Sequence, residues 1–476
     1  MYDIGIDSFN PEQQLRCDFI RGKSISRMED FLSVYVSILN DICPIAENLF
    51  ADTFDKRLAL ALRISTEDLS AMKKVRNHRT ENVTKILGLV YKRDGIVYLS
   101  KRTEKYLRDN DQPALFKSVC FQFQQPNGAQ TINTFQEKTN NEISIRPFHF
   151  IIKLLKLAYE DDIRLTKEDL FYYVLNCKQT LQGHVSPEVV YEKILQERSE
   201  GKHREVAIER NSAWTFQHMR EQLDYLLLAN LIRLDRYSVY LNMREIRTIN
   251  LFAEELNRPF RFNYTVYDSD RPNISSLLEY DWLYYMGVSE GIDLSVFNTT
   301  ATSFDAPAEE NAEDLSTQGE STVDLGDRGE AFIMMYERKI VADFNKRLVN
   351  KVNHLGRTHG LGYDIASIEA NRADRREDKE KTRYIEVKTT ARVSPPKPDF
   401  QDAINLTRNE WVAAEQQKEH FYIYRLYFTN SGPFLYIIKN PSQKNEDGLV
   451  YVTPTSYRME YEIQAADEQV TFAQDE

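Results

Sequence analysis

Residues 298–327 hold eight acidic side chains and neither Lys nor Arg. Ala, Thr, Ser, Asn and Glu dominate the stretch, so it buries too little apolar surface to offset the entropy of ordering it, and a flexible linker is expected. One continuous core across all 476 residues is thereby excluded. At roughly 150 residues per domain the length allows about three. The predicted organisation is two domains at 1–120 and 121–297, the linker at 298–327, a further domain at 328–462 and an acidic tail at 463–476. The linker also explains the charge. Its eight acids and the four of the tail account for the whole net charge of -12, leaving 61 acidic against 61 basic residues elsewhere. A neutral average with local basic surfaces is compatible with contact to a polyanion, because the local patch governs phosphate binding.

After the linker, three segments place carboxylates in an ordered series: Gly329-Glu330, Gly362-Tyr363-Asp364-Ile365 and Tyr384-Ile385-Glu386-Val387-Lys388. The last reads as a β-branched and aromatic strand, so Glu386 and Lys388 share one face and Val387 takes the other. Hydrolysis of a phosphodiester needs a hard cation against the phosphate, and Mg²⁺ takes carboxylate oxygens, waters and substrate phosphate as ligands. In that chemistry Asp364 and Glu386 supply carboxylates, the Val387 carbonyl a further oxygen, and Lys388 orients water and offsets developing charge. Glu330 opens a predicted helix with apolar residues at Phe332, Met335, Ile340 and Phe344, and is a metal-shell or water-relay candidate.

With Leu406-Thr407-Arg408-Asn409-Glu410-Trp411 added, these segments resemble the PD-(D/E)XK nuclease superfamily, in particular a branch of domains at the C-termini of restriction and phage-defence proteins. The resemblance covers about Gly326 to Tyr461. It implies an α/β, restriction endonuclease-like core of the αβββαβ kind, one Mg²⁺ or Mn²⁺ site, and Glu330, Asp364, Glu386 and Lys388 as catalytic residues. Asp364, Glu386 and the Val387 carbonyl would be the metal ligands, with Asn409 and Glu410 second-rank. Each motif alone has a plainer reading. Glu386 and Lys388 alternate with apolar residues as on any half-buried strand, Gly362 and Asp364 are ordinary turn residues, and Thr407-x-x-Glu410 fits a helix capping box. For the last pair, capping and an active-site role both stay open.

Before the linker the chain uses one pattern twice. Val83, Ile86, Leu87 and Val90 have the spacing of an amphipathic helix and precede a hairpin with an Asp94-Gly95 turn. Leu223, Leu226, Leu227 and Leu231 precede a second hairpin over Ile232 to Asn242. Helix followed by basic hairpin is the winged-helix layout, and an α-rich tandem winged-helix region is predicted. In such modules the helix enters the major groove and the wing touches phosphates. The DNA-binding candidates are Arg76, Asn77, Arg79, Asn82, Lys85, Lys92 and Arg93 in the first copy, and Arg210, Asn211, Gln217, Arg220 and Arg236 in the second. The competing reading is a protein-interaction module whose Lys and Arg only solvate a helix face. Between the copies, the Phe121–Ala129 segment reads as a strand-like start running into a turn. It is followed by a buried helix from Arg146-Pro147-Phe148 and the cap Leu165-Thr166-Lys167-Glu168. This progression is similar to the recognition regions of type IIS and related restriction endonucleases.

The resulting expectation is a multidomain, Mg²⁺-dependent, sequence-specific endodeoxyribonuclease acting on double-stranded DNA. It would be a homodimer when both strands are cut, with a companion methyltransferase or defence proteins as possible partners. The other readings are an effector activated by partners or modified DNA, and a winged-helix regulator with a retired nuclease fold. No apolar run is long enough for a bilayer and no hydrophobic leader is seen, so a cytoplasmic location is expected. Cys17, Cys43, Cys120 and Cys177 lack metal or disulfide spacing and are expected reduced and packed. His354 and His359 are expected in loop or core positions rather than as ligands.

Overall fold

A computed structural model describes residues 17, 25–204, 213–267, 272–299, 303–304, 325–355, 361–369, 381–397 and 402–452. The first part is built from helices and two small sheets. Helix α1 (Ile25–Ile42), strand β1 (Ile45–Ala46), helix α2 (Glu47–Ala61), helix α3 (Leu69–Asn77) and strands β2 (Val90–Arg93) and β3 (Ile96–Leu99) follow in order. Their sheet is ordered β1-β3-β2. The same order recurs with α6 (Pro147–Glu160), β4 (Leu165–Thr166), α7 (Lys167–Leu170), α8 (Ala213–Leu228), β5 (Ile232–Leu234) and β6 (Ser238–Leu241), whose sheet is ordered β4-β6-β5. Each hairpin thus has its outer strand capped by a two-residue strand from far upstream. Between the copies run α4 (Lys101–Asp109) and α5 (Gln112–Gln122), and α9 (Ile274–Val288) follows the second.

The four predicted stripe residues of the first copy, Val83, Ile86, Leu87 and Val90, are all buried. Their helix differs from the expectation. It starts at Leu69, capped by the Asp68 side chain, and continues past Asn77 as a π-helical segment to Ile86. The Thr80 hydroxyl donates to the Arg76 carbonyl and the Thr84 hydroxyl to the Thr80 carbonyl. Such back-bonding to the i−4 carbonyl competes with the helical ladder and opens the turn. Phe121 and Gln122 correct the sequence reading: they end α5 rather than start a strand. The predicted 120/121 boundary therefore falls inside a helix, and one apolar core runs from Cys17 to Phe297 through both copies. The start of the expected linker is also built in. Thr299 donates to Asp111, and the Ser303 hydroxyl donates to the buried Glu245. Residues 305–324 and the tail at 463–476 lie outside the described residues.

The second part is one five-stranded sheet ordered β11-β10-β9-β8-β7. Its elements are α10 (Leu325–Asn345), β7 (Asn353–His354), β8 (Ile365–Ile368), β9 (Thr382–Ala391), α11 (Arg408–Gln417), β10 (Phe421–Thr429) and β11 (Gly432–Lys439). β9 and β10 are parallel, joined through α11, and the other pairs are antiparallel. Alternation along β9 sorts its side chains. Ile385, Val387 and Ala391 join the core under α10 with Ile333 and Val341, while Tyr384 joins Phe421, Ile423, Ala413 and Ala414 under α11. β10 is buried along its whole length, as a central strand covered on both faces must be.

Helix α10 corrects a second expectation. It begins at Leu325, five residues before Glu330, and buries Leu325, Gly329, Ile333, Met334, Glu337 and Val341. Met335, predicted to face inward, is 65% exposed. The inward face includes a glycine and a glutamate, so apolar periodicity misplaces its phase. Gly329 is there for contact: a Cβ would stand 1.8 Å from the Thr389 hydroxyl oxygen of β9. We expect Gly329→Val to force helix and strand apart and destabilise this domain by about 1–3 kcal/mol. Chemical denaturation of the two proteins measures this, and an unchanged midpoint would contradict the packing described.

Candidate active site and nucleic-acid interface

Asp364 sits at the junction of three strands, immediately before β8. Its backbone N–H donates to the Ile385 carbonyl at 2.9 Å and its own carbonyl accepts from Leu355 N–H at 2.6 Å. Its carboxylate accepts from the Val387 N–H at 2.8 Å. The side chain is thus held against the backbone of the Glu386-Val387-Lys388 segment. Gly362, two residues earlier, has φ +77°, and a Cβ there would lie 2.5 Å from the Asn409 carbonyl. Only glycine meets both demands, and it lets the Asp364 turn press on the start of α11.

Glu386 and Lys388 face α11 as the alternation predicts. The Lys388 ammonium lies 2.7 Å from Glu386 and 2.9 Å from Glu410. Glu410 does two jobs. Its carboxylate closes a capping box with Thr407, and the same Oε2 atom reaches Lys388, so the two readings of that pair coexist. Asn409 lies beside it in the first turn of α11 and meets the site through its backbone at Gly362. Glu330, on α10, hydrogen-bonds the His354 imidazole of β7 and stands close enough to raise the Asp364 pKa by repulsion.

The electrostatics follow from burial and one-sided charge. Glu386 is 4% exposed. Burial, joined by Asp364 and Glu410 and opposed by Lys388, pushes its carboxyl up to about 9. Burial raises Asp364 to about 6, with Glu330 and Glu410 adding and the Val387 N–H and Lys388 opposing. Burial works against the Lys388 ammonium, yet Glu386 and Glu410 more than offset it and hold its pKa above the ordinary lysine value. Carboxylates therefore outnumber the ammonium that joins them.

Two residues of this region escaped the sequence reading. His354, expected in a loop or the core, lies exposed on β7, bonded to Glu330. His359 lies outside the described residues. Arg425 is buried on β10 directly beside Lys388, donating to Asp402 at 2.6 Å and to the Lys388 carbonyl at 3.3 Å. It is the lone charge in the run Phe421-Tyr422-Ile423-Tyr424-Arg425-Leu426-Tyr427-Phe428, and that was the available signal.

In the first copy, Arg76 and Asn77 are exposed at the end of α3, as is Arg93 at the hairpin tip. Others on the same helix turn inward. Arg79 makes a two-pronged bond to Asp55 at 2.9 and 3.2 Å, and Asn82 is 2% exposed, so its amide stands inside the module. Lys85 pairs with Glu279 at 3.5 Å, and Lys92 with Glu47 at 2.7 Å. Lys73 and Lys74, unnamed in the sequence reading because the helix was begun too late, are exposed beside Arg76. In the second copy Gln217 donates to Glu221, Arg220 is exposed 3.7 Å from Asp224, and exposed Arg236 stacks on Tyr237. Arg210 and Asn211 lie outside the described residues.

Comparison with known proteins divides the chain in the same way. Residues 9–283 match the family described as restriction endonuclease BpuJI, N-terminal. Residues 329–438 match the family described as protein NO VEIN, C-terminal. A solved structure of pyrene- and phenanthrene-modified DNA in complex with the BpuJ1 endonuclease binding domain is similar at 40% identity and a TM-score of 0.54. That match covers 59% of this chain and 99% of the other. No curated protein matches.

Proposed function

Because the chain belongs to the restriction endonuclease BpuJI N-terminal family, we propose that it is a Mg²⁺- or Mn²⁺-dependent DNA endonuclease of the restriction or phage-defence type. Its first part reads duplex DNA and its second part cuts it. The observation that carries the cutting half is the meeting of Asp364, Glu386, Lys388 and Glu410, residues from separate motifs, around one half-buried ammonium. The recognition half rests on the family and on two helix, strand, helix and hairpin units with matching sheet order, which we read as winged helices. The order α10, β7, β8, β9, α11, β10 follows the αβββαβ pattern that the resemblance implies, which supports reading this part as a PD-(D/E)XK core.

The residues fit a divalent cation. Among the described residues no three His, Cys, Asp or Glu side chains converge to cage an ion, but Mg²⁺ needs only one or two carboxylates, with waters and substrate phosphate completing its shell. Asp364 and Glu386 would hold it with the Val387 carbonyl, and the surplus negative charge around Lys388 is what a dication would neutralise. When bound, the cation supplies charge stabilisation at the phosphate and acidifies water. Lys388 holds Glu386 in place and directs its ammonium to the side where charge develops. Glu410 keeps that lysine charged, and the Val387 N–H keeps the Asp364 carboxylate turned to the strand. Glu330 and His354 stand at the sheet edge beside Asp364, placed to relay a proton. One such site hydrolyses one strand, so a double-strand break takes either two nuclease domains that meet or two successive nicks, and we include homodimerisation on DNA in this reading. No described helix is long and apolar enough to cross a membrane.

The test is incubation with supercoiled plasmid in Mg²⁺ and in chelator. Nicked or linear DNA in Mg²⁺ alone supports the reading; intact plasmid on every DNA tried, methylated or not, removes it. On the recognition half, we expect Arg76→Ala to weaken DNA binding at unchanged stability and to lower the slope of log affinity against log salt by about 1. Arg79→Ala, which strips Asp55 of its partner, is expected to lower stability instead by about 1–3 kcal/mol. Salt-titrated binding and thermal melts separate the two; equal behaviour would contradict the division between outward and inward residues.

A further inference from the structure

The catalytic strand does not end at the active site. Beyond Lys388, β9 runs into the first part of the chain and is fastened there by two sets of contacts. Thr390 donates from its hydroxyl to the Asn110 carbonyl at 2.7 Å, and Ala391 N–H bonds the same carbonyl at 3.3 Å. Asn110 is the turn between α4 and α5, and Asp111 next to it also holds Thr299, near the start of the acidic segment. One residue further, Arg392 lies 2.8 Å from Asp30 and 3.5 Å from Glu29 of α1. Glu29 accepts from Val393 N–H at 2.5 Å, from Ser394 N–H and from the Ser394 hydroxyl. Glu29 and Arg392 are each 1% exposed.

A buried ion pair whose carboxylate also accepts from two backbone N–H groups is a rigid joint, because losing one partner strands the other charge away from water. Its position is telling. α1 is the first helix of the unit whose α3 and hairpin carry the exposed basic residues, and Arg392, directly after the end of β9, is four residues from Lys388, about 13 Å at the usual rise of a strand. We propose that the Glu29, Asp30 and Arg392 joint fixes how far from the recognised sequence the chain cuts. The inference rests on the nuclease reading above. The two parts act as one measuring unit, and Arg392 is a positioning residue for the catalytic strand rather than a member of the site. Loss of the joint leaves the end of β9 held to the first part by its bonds to the Asn110 carbonyl, a single acceptor about which the strand can turn.

The experiment maps every end produced from one DNA substrate, using the full chain, its Arg392→Ala, Glu29→Gln and Thr390→Val variants, and the conservative Arg392→Lys. The proposal expects wild-type ends within one or two nucleotides of a fixed offset. It expects Arg392→Ala and Glu29→Gln ends to spread clearly beyond the wild-type window with total cutting kept within a few-fold, and Arg392→Lys to narrow them again. A tight offset retained in Arg392→Ala and Glu29→Gln overturns it, as do scattered wild-type ends, which leave the nuclease reading standing. Should Arg392→Ala fail to fold, the milder Glu29→Gln and Thr390→Val decide: spread ends support the joint and an unchanged offset overturns it. A wild type that cuts no DNA refutes the nuclease reading itself.

Discussion

Lys388→Ala is expected to slow DNA cleavage by at least about 10³-fold while changing DNA affinity less than about twofold. The size follows from preorganised charge in a water-poor site, where removing one stabilising group costs on the order of 10²–10³ in rate. Here the loss is compounded, because Lys388 is also the cation shared by Glu386 and Glu410. With the ammonium gone, Glu386 and Glu410 face each other with no cation between them and Glu386 is pushed further toward its protonated form. Asp364→Ala should fall by a similar factor, since it removes one proposed ligand and the acceptor of the Val387 N–H. Affinity is spared because the exposed basic residues of α3 and its hairpin belong to the other part of the chain. Single-turnover cleavage and equilibrium binding on the same duplex measure both. Lost binding together with lost cutting would mean that the site is part of the DNA-reading surface.

The second large effect is on metal requirement and pH. With Glu386 raised to about 9 and Asp364 to about 6, the metal-free site near neutrality keeps a proton on Glu386 that a cation has to expel. The half-saturating Mg²⁺ concentration should therefore fall about tenfold per pH unit from about 6 to about 9 and then level off. Stability moves the other way without metal. Glu386 has an ordinary carboxylate pKa of 4.5 when unfolded, so between there and about 9 the folded state binds more protons. The chelated protein then loses stability as pH rises through that window. Glu386→Gln lacks this decline and should melt several degrees above the chelated wild type at pH 8, while Mg²⁺ raises the melting temperature of the wild type alone. Melts at pH 5, 7 and 9 with and without Mg²⁺ test this. A chelated wild type that gains stability across the window would show Glu386 to be ionised throughout.

What could be read from the chain was whatever is written in short-range pattern. The Asp94-Gly95 turn between two alternating runs gave a hairpin, and the alternation of Glu386 and Lys388 put both on one face of β9. The spacing of Val83, Ile86, Leu87 and Val90 identified a buried stripe. Failures came where side chains act against their type. Helix α10 buries Gly329 and Glu337, which a hydrophobic period does not register, so Met335 was turned the wrong way. Thr80 and Thr84 open their helix by bonding its carbonyls, and the Asp68 cap sets its start back at Leu69, which puts Lys73 and Lys74 on the exposed face. The remaining omissions are long-range. Nothing near Arg425 announces Asp402, and nothing near Arg392 announces Glu29. Arg425 is legible as a charge out of place in an apolar run, whereas Arg392, in Thr389-Thr390-Ala391-Arg392-Val393-Ser394, carries no such mark, and the fold supplies the partners of both.

The central claim is that one chain reads DNA with its first part and cuts it with the Asp364, Glu386 and Lys388 site. The most direct measurement incubates wild type, Asp364→Ala and Lys388→Ala with a mixture of methylated and unmethylated DNA in Mg²⁺ and sequences every end formed. The account predicts wild-type ends gathered around a shared sequence, absent in chelator and absent from both variants. Equal cutting by all three proteins, or wild-type ends distributed without regard to sequence, would contradict it.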